Sequence, residues 1–160
     1  MSQKLEAIAV LVHPTIKGTI IFRESSKSDN VMIDLDISGL KPGKHGFHIH
    51  ETGNLLDKCK ECKAHFNPFN KNHGGPKSKE RHVGDLGNIV VDKNGKVKTT
   101  FSDHQISLRD PKRNIIGRSV IIHDKEDDLG KEGNEESLRT GNAGTRLVCA
   151  VIGYKKAYYF

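Results

Sequence analysis

The chain of 160 residues contains no tryptophan, only six Phe and three Tyr, and 34% hydrophobic residues in all. Those apolar residues never approach the roughly 20 in a row that a membrane-spanning helix needs. Neither a glycine triplet nor a heptad repeats, which excludes collagen-like and coiled-coil chains. Three cysteines do not make a disulfide scaffold, and a chain of this length buries a core without one. Intrinsic disorder is excluded by the clustering of the apolar residues into short alternating runs. The apolar stretch Ala7 to Val12 is too short for a signal peptide, follows Glu6 and lacks a small-residue cleavage site, so a cytoplasmic protein is expected. The formal charge of +6 suits an anionic partner. Its basic residues are scattered, however, and the tightest group, Lys77 to Arg81, contains Glu80 and has no aromatics around it. That group reads as solvated surface rather than as a nucleic-acid site.

What is present is strand. Period-two alternation and β-branched residues predict eight strands, over 5–12, 15–23, 31–38, 44–50, 87–92, 96–103, 115–123 and 145–153. Asp92-Lys93-Asn94-Gly95 and Leu40-Lys41-Pro42-Gly43 are turn signals, and no stretch reads as a sustained amphipathic helix. The expected architecture is a single all-β domain over 1–160, a sandwich or flattened barrel. Two polar segments, 51–82 and 124–144, exceed the roughly 12–15 residues of ordinary connections and hold most of the unusual chemistry.

Nine histidines are present, and six of them form a metal-like pattern. His48 and His50, two apart on a strand, project from one face and converge on one ion. His65, His73, His82 and Asp85 are spread through the first long segment, and His123 ends the seventh strand. Imidazole suits copper and zinc, and a carboxylate is a normal zinc ligand. Six His and one Asp are one group short of two four-coordinate sites, so one imidazole using both ring nitrogens would complete them; spacing does not say which. His13 and His104 lie outside the pattern. Alternation turns His45 to the opposite face, toward a packing or hydrogen-bonding role.

Together with these residues, several longer motifs resemble the copper/zinc superoxide dismutase family of the intracellular eukaryotic type. They are Gly46-Phe47-His48-Ile49-His50, His65-Phe66-Asn67-Pro68, His73-Gly74-Gly75-Pro76, Arg81-His82-Val83-Gly84-Asp85, Ile116-Gly117-Arg118, Asp127-Asp128-Leu129-Gly130 and Gly141-Asn142-Ala143-Gly144-Thr145-Arg146. The resemblance runs from Val10 to Gly153. It implies an eight-stranded antiparallel Greek-key sandwich or flattened barrel and the dismutation of superoxide into oxygen and hydrogen peroxide, with one copper and one zinc per chain.

Carried over by position, the resemblance implies copper on His48, His50, His65 and His123, and zinc on His65, His73, His82 and Asp85, with His65 the bridge. It makes Asp127 the carboxylate behind a copper-side and a zinc-side His, Arg146 the anion-docking residue, and Thr140 the residue that narrows the channel. His65 and Arg146 are the implied catalytic groups. Lys125 and Arg139 are expected to steer the anion, whereas Lys131 is expected to be ordinary surface. A disulfide between Cys59 and Cys149 is implied too, closing about 90 residues and contributing roughly 4–5 kcal/mol in the chain-entropy model. Cys62 competes with Cys59 for Cys149 or is a free surface thiol, the latter being expected. The resemblance further implies a homodimer and a copper chaperone as partners. Thr52 in place of an aromatic, Glu132 in place of glycine, and the tail Tyr154 to Phe160 depart from the family pattern. A copper-delivery or metal-buffering protein on the same fold is the alternative function, although the chain has no C-x-C pair.

Overall fold

The computed structural model describes residues 3–160, so Met1 and Ser2 of the expected 1–160 span lie outside the described residues. The strands are β1 (Glu6–Val12), β2 (Lys17–Glu24), β3 (Val31–Ser38), β4 (Gly43–His50), β5 (Asp85–Val91), β6 (Lys96–Asp103), β7 (Ser119–His123), β8 (Arg146–Val151) and β9 (Gly153–Tyr154). They form two antiparallel sheets, ordered β6-β3-β2-β1-β9 and β5-β4-β7-β8. The chain meanders through β1 to β3 and crosses to the second sheet. It returns after β5 so that β6 pairs with β3, and then crosses again. The two sheets face each other as a sandwich and do not close into a barrel.

Alternation explains the first sheet. In β3, Val31, Ile33, Leu35 and Ile37 point into the core, while Met32, Asp34 and Asp36 face outward. The second sheet departs from a simple in-out pattern because its outer face is covered as well. Every residue of β7 is buried, and so is β4 from His45 to His50. Phe47 and Ile49 enter the core, and the alternate positions His48 and His50 lie beneath the two long loops. His45 is buried with its ring nitrogens 2.8 Å from the carbonyl oxygens of His123 and Lys41, in the hydrogen-bonding role expected of it.

Several boundaries move for identifiable reasons. β2 starts at Lys17 rather than Thr15 because His13 Nδ1 accepts the backbone N–H groups of Thr15 and Ile16, each at 3.2 Å, and holds them in a turn. β7 starts at Ser119 rather than Ile115 because Ile115–Arg118 forms a turn, with Arg118 N–H donating to Ile115 O and Gly117 at φ 86°. Strand β9 adds two residues that pair with Ala7 and Ile8.

Two expectations about side chains are corrected. Arg81, read as part of a solvated basic group, is 2% exposed. Its guanidinium donates to Asp103 Oδ1 at 2.7 Å and to the carbonyls of Pro76, His82 and Val83. Cys62, expected as a surface thiol, is free but fully buried. The Cys59–Cys149 disulfide is present with a Cα–Cα distance of 5.9 Å.

The Arg81–Asp103 pair pins the first long loop to the end of β6 at a point without solvent. Removing one partner leaves an uncompensated buried charge, which costs about 3–5 kcal/mol. Denaturant unfolding of Arg81→Met should show a loss of that size, against a change within about 0.5 kcal/mol for a substitution at exposed Lys77.

Candidate metal centre

The long loop between β4 and β5 and the loop between β7 and β8 fold over the outer face of the second sheet. Six histidines and two aspartates converge beneath them. His48, His50, His65 and His123 form one group able to hold a metal ion, and His65, His73, His82 and Asp85 form a second. Ligand atoms in each group lie within 4.8 Å of one another, and all the residues are buried. His65 alone belongs to both. His48, His73 and Asp127 make a third such group, which joins the other two.

The second nitrogen of most rings is already committed, which assigns the tautomers. His48 Nε2–H donates to Asp127 Oδ2 at 2.6 Å, and His73 Nε2–H donates to Asp127 Oδ1 at 2.7 Å. His50 Nδ1–H donates to Lys63 O at 2.8 Å, and His123 Nδ1–H donates to Gly144 O at 3.3 Å. Each of these rings, in its neutral form, is thereby left with a lone pair on the nitrogen that faces its group, as a metal requires.

Three of the buried nitrogens, His48 Nδ1, His65 Nε2 and His73 Nδ1, have no hydrogen-bond partner among the described residues. His73 Nδ1 is 2.9 Å from Asp85 Oδ1 yet is not aligned to bond with it. Such orphans are expensive in a protein interior unless an ion satisfies them. The donor set therefore fits a metal in each group: four imidazole nitrogens in one, three imidazoles and a carboxylate in the other.

Asp85 is itself held by the backbone, its Oδ2 accepting Gly74 N–H at 3.0 Å and His82 N–H at 2.8 Å. Asp127 is held more firmly still. Its Oδ1 also accepts Leu129 N–H at 2.8 Å, and its backbone exchanges two bonds with the Asn88 side chain on β5. Two glycines make room for this arrangement. At Gly46 a Cβ would lie 2.7 Å from the Ala143 Cβ, and at Gly141, with φ 73°, a Cβ would overlap the Asp127 carboxylate.

Burial and charge split the ionisation of the cluster. Burial pushes His48 and His123 down to about 4 and His65 to about 3, and it holds His50 well below its usual range. For His73 burial acts in the same sense, but the two carboxylates that face it, Asp127 accepting from Nε2 and Asp85 lying 2.9 Å from Nδ1, prevail and raise it to about 9. Against the cost of their own burial, the two carboxylates are lowered by the histidines around them, Asp127 to about 2.

A cleft opens onto His50, His65, His82 and His123. Its walls include Lys71, Lys125, Glu135, Glu136, Arg139, Thr140 and Arg146. Arg146, Lys125, Arg139 and Thr140 are thus brought together where the sequence places them, while Lys131 and Glu132 are not among the lining residues. Lys71 was not anticipated; its signal was a lone cation between His65 and His73. The six-residue helix α1 (Glu135–Thr140) was not anticipated either. Asn134 caps it by accepting Ser137 N–H, and Gly141 ends it in the left-handed conformation. On this helix Arg139 donates to Glu136 at 2.7 Å, and Thr140 Oγ1 donates to Glu136 Oε1 at 2.7 Å. The Arg146 guanidinium donates to Cys59 O at 2.8 Å and to Lys63 O at 2.6 Å.

Two expected outcomes follow from the cluster itself. Gly141→Ala places a methyl group against Asp127 and forces an L residue into φ > 0, at a cost of about 1–2 kcal/mol for the backbone alone. Metal titration against a competing chelator should show weakened binding in that variant. The lowered histidines have folded-state pKa values beneath the unfolded value near 6.5, so their stabilising share is intact above pH 6.5 and is lost as pH falls toward about 4. His73 acts in a different window, its share being lost as pH rises from 6.5 through about 9. Thermal melts of metal-free protein should therefore drop steadily from pH 6.5 to 4, and a flat profile would contradict the buried neutral histidines.

The family profile described as copper/zinc superoxide dismutase (SODC) matches residues 16–152. A superoxide dismutase [Cu-Zn] from Paramecium bursaria Chlorella virus 1 is 59% identical over 157 residues, covering 98% of this chain and 82% of that protein. Superoxide dismutase [Cu-Zn] A from Xenopus laevis is 48% identical over 151 residues, covering 94% of this chain and 98% of its own length. Among solved structures, the clock protein EA4 superposes with a TM-score of 0.90 at 46% identity, with 96% of each chain covered. With this match, and with two metal-binding groups joined through one histidine, the chain belongs to the copper/zinc superoxide dismutase family.

Proposed function

We propose that His48, His50, His65 and His123 hold the copper, that His65, His73, His82 and Asp85 hold the zinc, and that His65 joins them. The chain is a superoxide dismutase, converting superoxide into oxygen and hydrogen peroxide with one copper and one zinc. Copper held there would supply the one-electron redox chemistry that dismutation needs, and the zinc beside it has no redox chemistry of its own. The observation that carries the assignment is His65, whose Nδ1 faces His82 and Asp85 on one side while its Nε2 is buried without a partner on the other.

The protein's own groups then bind, orient and protonate. Arg146, fixed by the turn carbonyls, docks the anion at the cleft, where a permanently charged guanidinium offers several donors. Lys125 attracts the anion from the rim. Arg139 does so less, because Glu136 neutralises it at short range, and Thr140, tied to the same carboxylate, narrows the entrance. His65 Nε2, whenever it is not ligating a metal, would be the protein group placed to hold a proton for the peroxide product, with water the source of the other. Asp127 fixes the rings of His48 and His73 from behind.

The same reading places the chain in the cytoplasm as a homodimer that receives copper from a chaperone. The stretch Ala7 to Val12 is part of the folded domain, lying in strand β1 with Ala7, Ala9 and Leu11 in the core. No helix among the described residues is long and apolar enough to cross a membrane. The edge where Leu55, Leu56, Val151 and Tyr154 are exposed supports the homodimer.

Protein reconstituted with copper and zinc should dismutate superoxide rapidly at one of each metal per chain by elemental analysis, and His48→Ala should abolish this. Full loading without activity would overturn the catalytic reading. In Arg146→Ala the second-order rate should fall by roughly tenfold or more, with a weaker dependence on ionic strength. A rate and salt slope equal to those of the parent would remove Arg146 from the docking role.

A further inference from the structure

The three cysteines of the chain meet at one point. Cys59 is bonded to Cys149, and Cys62 lies in the same apolar cluster, packed with Cys59 against Ile121 and with Cys149 at its edge. Ile121 of β7 is the register partner of Cys149 on β8, so Cys59 and Cys62 bear on the same spot of the sheet. A 3-10 turn, Lys60–Cys62, separates them, with Cys62 N–H donating to Cys59 O at 3.2 Å. Cys59 caps this turn in the left-handed conformation, at φ 74°, and both cysteines of the turn pack into the one cluster against Ile121. Cys62 is fully buried, and its thiol donates to Asn54 O at 3.3 Å. It serves neither metal group, and it is not among the residues lining the cleft.

We propose that Cys62 is an internal exchange partner for the Cys59–Cys149 disulfide, so that the first long loop has two interchangeable ties to β8. The Cys62 thiolate attacks Cys149 Sγ. The Cys62–Cys149 bond forms as the Cys59–Cys149 bond breaks, and the electron pair leaves on Cys59 Sγ, which takes up the proton that Cys62 released. Nothing is oxidised or reduced overall, and no further reactant is needed. Both pairings leave the 59–63 turn fastened to β8. That turn supplies the carbonyls of Cys59 and Lys63 to Arg146, and Lys63 O also orients His50. Exchange therefore preserves the anchorage of an anion-docking cation and of a metal-binding imidazole.

The test is disulfide mapping of the metal-loaded protein held in glutathione buffers of graded redox ratio. Samples are quenched in acid, blocked with N-ethylmaleimide and digested, with cleavage after Lys60 separating Cys59 from Cys62. The expected result is a Cys62–Cys149 linked peptide beside the Cys59–Cys149 one, and its disappearance in Cys62→Ser. Finding only the Cys59–Cys149 link at every ratio in the parent protein would overturn the proposal, whether or not any variant folds. In Cys59→Ser the expected product is a Cys62–Cys149 bond with no blocked thiol; recovery of Cys62 and Cys149 both carrying the maleimide would overturn it equally.

Discussion

One buried carboxylate holds the site together. Asp127 comes from the loop after β7 and accepts a hydrogen bond from His48 on β4 with one oxygen and from His73 in the first long loop with the other. An isolated carboxylate at this depth would be strongly disfavoured. Here two imidazoles and the Leu129 amide compensate it, and Asn88 clamps its backbone to β5. The second loop thus cannot lift without unpairing a buried charge, and neither metal group can change its ring orientations independently of the other. Glycine at 46 and at 141 follows from the same demand for close approach.

A second junction lies at the 59–63 turn. The disulfide fastens this turn to β8, Thr52 Oγ1 donates to Glu61 O at 2.7 Å, and Lys63 O accepts from both His50 and Arg146. A ring of the first histidine group and the Arg146 guanidinium at the cleft therefore share one carbonyl oxygen. Arg146 and His50 are thus positioned relative to each other through backbone rather than through a long side-chain relay, which leaves their placement little conformational freedom to lose.

Much of this was legible in the sequence because two simple periodicities dominate it. Alternation places β3 and β6 at the bounds they occupy, and the two-residue spacing of His48 and His50 puts both rings on the outer face of β4. The metal groups match the histidines and aspartate named from the family motifs. What escaped depends on contacts distant in sequence or on short-range capping. Arg81 looked like surface because its partner, Asp103, is 22 positions away. Cys62 looked exposed because it sits in a polar segment, and only the fold reveals Ile121 beneath it. Helix α1 is too short for a periodic signal, although Asn134 followed by two glutamates and closed by Gly141 was a capping pattern that could have been read.

The most direct measurement on the shared carboxylate is the affinity of Asp127→Asn for copper and for zinc, each titrated against a chelator of known strength. The substitution retains shape but turns an acceptor facing two N–H groups into a mixed donor and acceptor. If one carboxylate orders both groups, affinity for the two metals should fall together, by about 10–100-fold. A loss confined to one metal, or no loss for either, would contradict the claim that Asp127 holds the two groups as a unit.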